Sequence, residues 1–199
     1  MSALRVGLTG GIASGKSTAS QWLREAGFEV IDADQIVAEL YQPGGEGAAV
    51  VRALFGPGML DESGAVDHAK VAARVFSDPD TRIALEKAIH PLVRKRFVEI
   101  TAASQGVVIL EATLLVEAGY APGFDLIVTV EAPCELRFER AVERGMNRET
   151  AEARLLAQGD GERRREAAHR VIDNSGDEAH FHRQVDELIE ELKRLAAGR

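Results

Sequence analysis

The chain has little that would staple it or anchor it. It carries one cysteine, Cys134, in 199 residues. A single thiol excludes an intrachain disulfide framework and a cysteine zinc cluster. It suits a reducing compartment, and a cytoplasmic location is expected. No apolar run approaches the ~20 residues that span a bilayer, so no membrane partner is expected. The first residues pass straight into a strand-like segment, which gives no sign of a signal peptide. Positive charge is also short: 24 Lys and Arg stand against 32 Asp and Glu, for a net charge of −8. A general nucleic-acid binder needs a basic face to neutralise phosphates, so that class is set aside. One segment departs from the balance. Residues 135–170 hold nine arginines and eight acids, about neutral, and the acidic excess lies elsewhere.

What is present is an alternation of short apolar runs with helical stretches, the pattern of an α/β fold with a mainly parallel sheet. Strands are expected at Leu4–Thr9, Val30–Asp32, Val107–Ala112, Leu126–Glu131 and Arg170–Asp173. A helix is expected from Lys16 to about Ala26, stopped by Gly27, and others over Glu135–Glu143 and Glu149–Gln158. Residues 36–104 read as a helical insertion, with Asp78 as an N-cap before Pro79. The His90-Pro91 step should end one helix and begin another. Phe181, Val185, Leu188, Ile189, Leu192 and Leu195 form the apolar stripe of a last helix. The resulting plan is one domain: core 1–35, 105–135 and 168–199, insertion 36–104, and a lid region 136–167.

The sharpest motif is Gly10-Gly11-Ile12-Ala13-Ser14-Gly15-Lys16-Ser17, a match to G-x-x-x-x-G-K-[ST] between a strand and a helix. The glycines let backbone N–H groups turn inward around a polyphosphate. Lys16 supplies charge for the β- and γ-phosphates, and the Ser17 hydroxyl can ligate Mg²⁺. The following helix aims its N-terminus at the same phosphates. Thr18 reads as a helix residue facing the loop rather than as a second metal ligand. The motif by itself gives nucleotide binding and no more. A GTP switch reads guanine with Asn-Lys-x-Asp, and none of the lysines follows an asparagine. Asp61-Glu62-Ser63-Gly64 and Asp173-Asn174-Ser175-Gly176 match the weak switch pattern D-x-x-G, but neither closes a convincing central strand.

A small-molecule kinase needs an acid near the acceptor hydroxyl and arginines over the transferred phosphoryl. Asp32 and Asp34 end the second strand, where ligands bind in open parallel sheets. Either is a candidate proton acceptor or water-mediated Mg²⁺ holder, and either can instead cap the next helix. Arg137, Arg140, Arg144, Arg148, Arg154, Arg163, Arg164 and Arg165 supply candidates for a lid. Spacing does not separate those that reach phosphate from those on a solvated face. His90, before a proline, reads as a structural histidine on sequence alone. Cys134 reads as a small buried apolar residue.

Taken in order, Leu8 to Thr18, Ile31-Asp32-Ala33-Asp34, Ile89-His90-Pro91, Leu114-Leu115-Val116-Glu117 and Val171-Ile172-Asp173-Asn174-Ser175-Gly176 resemble the dephospho-CoA kinase family over nearly the whole chain. The resemblance implies a nucleoside-kinase-like core with a helical CoA-binding region and a lid. It implies ATP-dependent, Mg²⁺-assisted phosphorylation of the ribose 3′-hydroxyl of dephospho-CoA. By the same resemblance Asp34 is the base and Asp32 shapes the site. Arg140 lies on the adenine side, Asn174 contacts the adenine end, and Arg148 and Arg164 are lid residues. His90, Leu115 and Glu117 fall on the acceptor side, and Gly11 to Thr18 hold ATP. Thr113, Gly159, Gly161, Arg165 and His169 depart from the family pattern, and the two glycines are expected to loosen the lid. A kinase of another small metabolite and a nucleotide-gated binding protein remain as alternatives. Oligomeric state stays open, a monomer included.

Overall fold

A computed structural model describes residues 3–119 and 121–199. The chain divides into two compact units, residues 1–31 with 101–199, and residues 32–100. The first is built on a five-stranded sheet. Its strands are β1 (Leu4–Gly10), β2 (Glu29–Asp32), β3 (Val107–Glu111), β4 (Leu126–Glu131) and β5 (Arg170–Asp173). They lie in the order β2-β3-β1-β4-β5. β1 pairs in parallel with β3 and β4, and β4 with β5. The register sets Leu8 beside Glu111, Gly10 beside Val130, and Glu131 beside Asp173. The carboxyl ends of four strands therefore share one edge, and the glycine-rich loop leaves from it.

Two helices close one core over this sheet. Every residue of β3 and β4 is buried, as expected of strands covered on both faces. Leu8, Val128 and Val130 pack with Leu23 of α1 (Lys16–Glu25). Phe181, Val185, Leu188 and Leu192 of the last helix (Glu178–Ala197) join the same cluster. Each such side chain contributes about 1.5–3 kcal/mol by leaving water. Leu195 does not continue the stripe as expected and is 42% exposed. The 3.6-residue period carries the buried line from Leu192 to Ala196, which packs against the core instead.

The second unit is helical, as the sequence suggests. It holds α2 (Ala33–Leu40), α3 (Glu46–Phe55), α4 (His68–Ser77) and most of α5 (Pro79–Ala103). Asp67 caps α4 by accepting from the Lys70 N–H. Asp78 opens α5, its carboxylate accepting from the Asp80 N–H at 3.0 Å and the Thr81 hydroxyl at 2.6 Å. The expected break at His90-Pro91 does not occur, and α5 runs through Pro91. Ile89, Val93 and Phe97, four residues apart, are all buried on one stripe that spans the proline. Pro91 lies on the exposed side, so burial of the stripe overrides the lost N–H donor.

Past β4 the first unit continues with α6 (Cys134–Glu143), α7 (Arg148–Gln158) and α8 (Glu162–Ala167) before β5, and the last helix is α9. Asn147 caps α7 through the Glu149 and Thr150 N–H groups. Gly159 and Gly161, expected to loosen this segment, build its turn. They have φ of +63° and +86°, a conformation only glycine adopts without strain. His169 is tied in from both sides, its N–H donating to Ile127 O and its Nδ1 accepting from the Ile127 N–H.

Candidate active site

The loop between β1 and α1 lines a small cavity and carries left-handed backbone at two positions. Ala13 sits at φ +57°, a left-handed conformation rare for a residue with a side chain. Gly15, at φ +105°, caps α1, and its carbonyl accepts from Thr18 and Ala19. A side chain at Gly15 would clash with the Asn174 side-chain amide, so the residue must be glycine on two counts. A side chain at Gly11 would run into the Arg137 guanidinium.

Two cavities open on this loop. One of about 180 Å³ is lined by Gly11 to Ser17 with Thr113 and Arg144. The second, about 290 Å³, is lined by Gly15, Thr18, Arg140, Arg144, Asn174, Gly176, Glu178 and Phe181. Asn174 joins them: its Nδ2 donates to Ser14 O at 2.8 Å and its Oδ1 accepts from Arg140 Nη2 at 3.5 Å. The Ser14 hydroxyl and Arg140 Nη1 are buried without hydrogen-bond partners. Unsatisfied donors beside cavities suit a polar, anionic occupant. A larger cavity, about 960 Å³, lies between α6 and α7 rather than on the loop, lined in part by Phe138, Val142 and Leu155.

Lys16 reaches Glu111 at 2.5 Å, and Arg24 reaches the other carboxylate oxygen at 3.5 Å. Burial alone would push the Glu111 carboxyl up. The Lys16 ammonium and the Arg24 guanidinium outweigh it and hold the group below the usual carboxylate range. Behind the loop, Ile12 is held at both ends of its backbone: its N–H donates to Gln158 Oε1 at 2.8 Å, and its carbonyl accepts from Arg137 Nε at 3.0 Å. Arg164, fully buried, donates to Glu131 at 3.1 Å and to Glu117 at 2.9 Å.

The residues expected from sequence fall into groups. Gly11, Ile12, Ala13, Ser14, Gly15, Lys16 and Ser17 form the first cavity, and Thr18, Arg140 and Asn174 the second. Arg148 lies in the groove between α6 and α7, its guanidinium 4.8 Å over the Phe138 ring. Arg144 is the arginine that lines both loop cavities. Leu115 is fully buried, close to Gly7 of β1, and Glu117 is engaged by Arg164. Cys134 is not the buried residue expected: it is exposed at the start of α6, where it lines the groove between α6 and α7.

In the second unit, Asp32 caps α2 by accepting from the Asp34 N–H at 2.8 Å, and Asp34 is exposed in the first turn. His90 is pulled below its ordinary value by burial, with Glu86 acting the other way.

Sequence reasoning missed Glu111 and Gln158, and it grouped Arg137 with the lid candidates without separating it as a partner of the phosphate loop. Glu111 had a signal, an acid closing an otherwise apolar strand. The other two had none beyond being polar residues on charged helices.

Mg²⁺ takes oxygen ligands, keeps several waters and is held by one or two protein groups plus phosphates. The exposed Ser17 hydroxyl on the loop cavity fits that donor set, and no group of three His, Cys, Asp or Glu is needed or found among the described residues.

A parallel sheet, a phosphate loop on its first strand, a lysine at the loop's end and arginines around the adjoining cavities define a kinase of the phosphate-loop class. The model of the dephospho-CoA kinase family matches residues 4–180, and the chain belongs to that family. A dephospho-CoA kinase of Streptomyces avermitilis is 42% identical over 95% of this chain and 94% of its own length. One of Mycobacterium tuberculosis H37Rv is 46% identical over 87% of this chain, which spans only 43% of that longer relative. The solved dephospho-CoA kinase of Campylobacter jejuni superposes with a TM-score of 0.69 at 26% identity, covering 96% of this chain and 97% of its own. No helix among the described residues is long and apolar enough to cross a membrane.

Proposed function

We propose that the chain transfers the γ-phosphoryl group of ATP to the ribose 3′-hydroxyl of dephospho-CoA, giving coenzyme A and ADP. The observation that carries the reading is the loop itself: Gly11–Ser17 line a cavity of about 180 Å³ with Lys16 and the unsatisfied Ser14 hydroxyl among its walls. Membership of the dephospho-CoA kinase family supports the choice of acceptor.

The attack is in line, and the protein's part is positioning and charge. Lys16 leaves Glu111 for the phosphates and neutralises charge as it moves to the leaving ADP. Ser17 would hold Mg²⁺ by its hydroxyl, and the ion would supply charge neutralisation at the phosphates. Asp34 accepts the proton of the ribose hydroxyl, and Asp32 orders the turn that presents it. Arg140 and Asn174 hold the adenine end. His90, Leu115 and Glu117 serve the acceptor side, Glu117 by way of Arg164. The arginine-rich segment 136–167 closes over the phosphates and keeps water out. We place the reaction in the cytoplasm, which the lone thiol suits.

The test is ADP release across a panel of acceptors: dephospho-CoA, nucleosides, nucleoside monophosphates, shikimate and no acceptor. Release that depends on dephospho-CoA alone is expected, and chelation of Mg²⁺ with EDTA should stop it. Lys16→Ala and Asp34→Asn should each lose most turnover, and a normal kcat in Asp34→Asn would remove it as the base. Release with another acceptor, or ATP binding with no acceptor-dependent release, would overturn the reading.

A further inference from the structure

The Ile12 peptide is fixed in a way the nucleotide motif does not require. Its N–H donates to Gln158 Oε1 at 2.8 Å, and its C=O accepts from Arg137 Nε at 3.0 Å. Gln158 Oε1 also accepts from Arg137 Nη2 at 3.1 Å, so the three groups close a ring of hydrogen bonds. Arg137 is 1% exposed, and its guanidinium fills the space a side chain at Gly11 would need. Gln158 is the last residue of α7, directly before the Gly159-Asp160-Gly161 turn into α8. Its own carbonyl accepts from Arg164 Nη1 at 3.5 Å, and the same nitrogen holds Glu117. Gln158 thus joins the phosphate loop to Arg137 by its side chain and, by its backbone carbonyl and Arg164, to the loop that follows β3.

We infer that Gln158 is a positioning residue for phosphoryl transfer: it docks the end of α7 onto the nucleotide loop through the Ile12 amide, and it must be a neutral acceptor to do so. Both side-chain bonds it makes use its carbonyl oxygen as acceptor. A glutamate would make the same two bonds, and would make the one to Arg137 more strongly. It would also set a negative charge in a loop that has to receive a polyphosphate. Glutamine satisfies the amide and the arginine while leaving the loop's positive potential for the nucleotide. Docking the end of α7 fixes where the turn to α8 begins, and so where Arg164 and Arg165 are carried.

This inference rests on the kinase reading, and two variants separate the two. Gln158→Ala removes the link, while Gln158→Glu keeps both bonds and adds charge. Three quantities decide: the nucleotide-free melting temperature, the Kd for ATP by calorimetry, and kcat with dephospho-CoA. For Gln158→Ala we expect kcat to fall at least tenfold, with the Kd for ATP within threefold of wild type. For Gln158→Glu we expect a melting temperature equal to or above wild type and a Kd for ATP at least tenfold weaker. That loss should shrink at high ionic strength, as screening requires. A purely structural role would move melting temperature in both variants and would not split Kd from kcat. Gln158→Ala with kcat within twofold of wild type, or Gln158→Glu binding ATP as tightly as wild type, overturns the inference. Wild-type protein inactive on dephospho-CoA overturns the kinase reading alone, and the ATP-binding measurements on Gln158→Glu still decide the charge requirement.

Discussion

Glu111 shows how a single side chain prepares the loop for its ligand. Its side chain is 6% exposed and Lys16 is 13% exposed, so each depends on the other for compensation. Removing one partner of such a pair leaves an uncompensated charge and costs on the order of 3 kcal/mol. The same pair makes stability depend on pH. Burial pushes the carboxyl up, but Lys16 and Arg24 push it further down, so its folded pKa lies below its unfolded one. The stabilisation is therefore complete above the unfolded carboxylate value of about 4.3, and is lost as pH falls through the depressed folded value. Glu111→Gln should lower the melting temperature at neutral pH and flatten its decline in acid. Melting curves collected from about pH 7 to 3 test this; parallel declines in wild type and variant would show that Glu111 carries no linked proton.

At the scale of elements, α5 is the place where local rules lost to packing. Pro91 removes the N–H that would bond the Lys87 carbonyl, yet the helix continues because Ile89, Val93 and Phe97 need one continuous buried face. Pro91→Ala restores the donor on an exposed side and should stabilise the protein by about 1–3 kcal/mol. The melting temperature should rise by several degrees, since 1 kcal/mol is worth about 2–4 °C in a chain of this size. A lower melting temperature would mean that the proline's geometry is itself used. The same contrast explains what the sequence disclosed. The strands were legible to within one residue because β3 and β4 are buried on both faces and read as unbroken apolar runs. The phosphate loop was legible because its chemistry is local. Asn174 entered only through family resemblance, as an adenine-side residue, and its bond to Ser14 O, 160 positions away, was not foreseen. The ring around Ile12 was not legible at all: Gln158 lies 146 positions from Ile12 and Arg137 lies 125, and each looks like a surface residue of a charged helix. Cys134 was misjudged because a small apolar residue that opens a helix need not face the core.

For the whole molecule, the residues proposed for the reaction are spread over both units. The unit of residues 1–31 and 101–199 carries the loop, Arg140 and Asn174, while the unit of residues 32–100 carries Asp34 and His90. The second unit has buried residues of its own, among them Ile36, Val51, Val71 and Phe97, so it can open as a cooperative body. ATP held by the loop stabilises only states in which the loop is formed. At a hundredfold excess over Kd this amounts to about 2.7 kcal/mol, or roughly a hundredfold slowing of exchange through openings that break the site. Hydrogen exchange should therefore slow on ATP addition in β1, α1 and α6 to α8. The amides of α3 and α4, which exchange through opening of their own unit, should keep their rates. Dephospho-CoA should then slow amides of residues 32–100, because the proposed acceptor-side residues Asp34 and His90 lie there. Uniform slowing by ATP across both units would mean that the protein opens as one body and that nucleotide and acceptor stabilise the same cooperative structure. Separate responses would give each substrate its own stabilised unit, with α5 and the passage from β2 to α2 as the two places where the chain connects them.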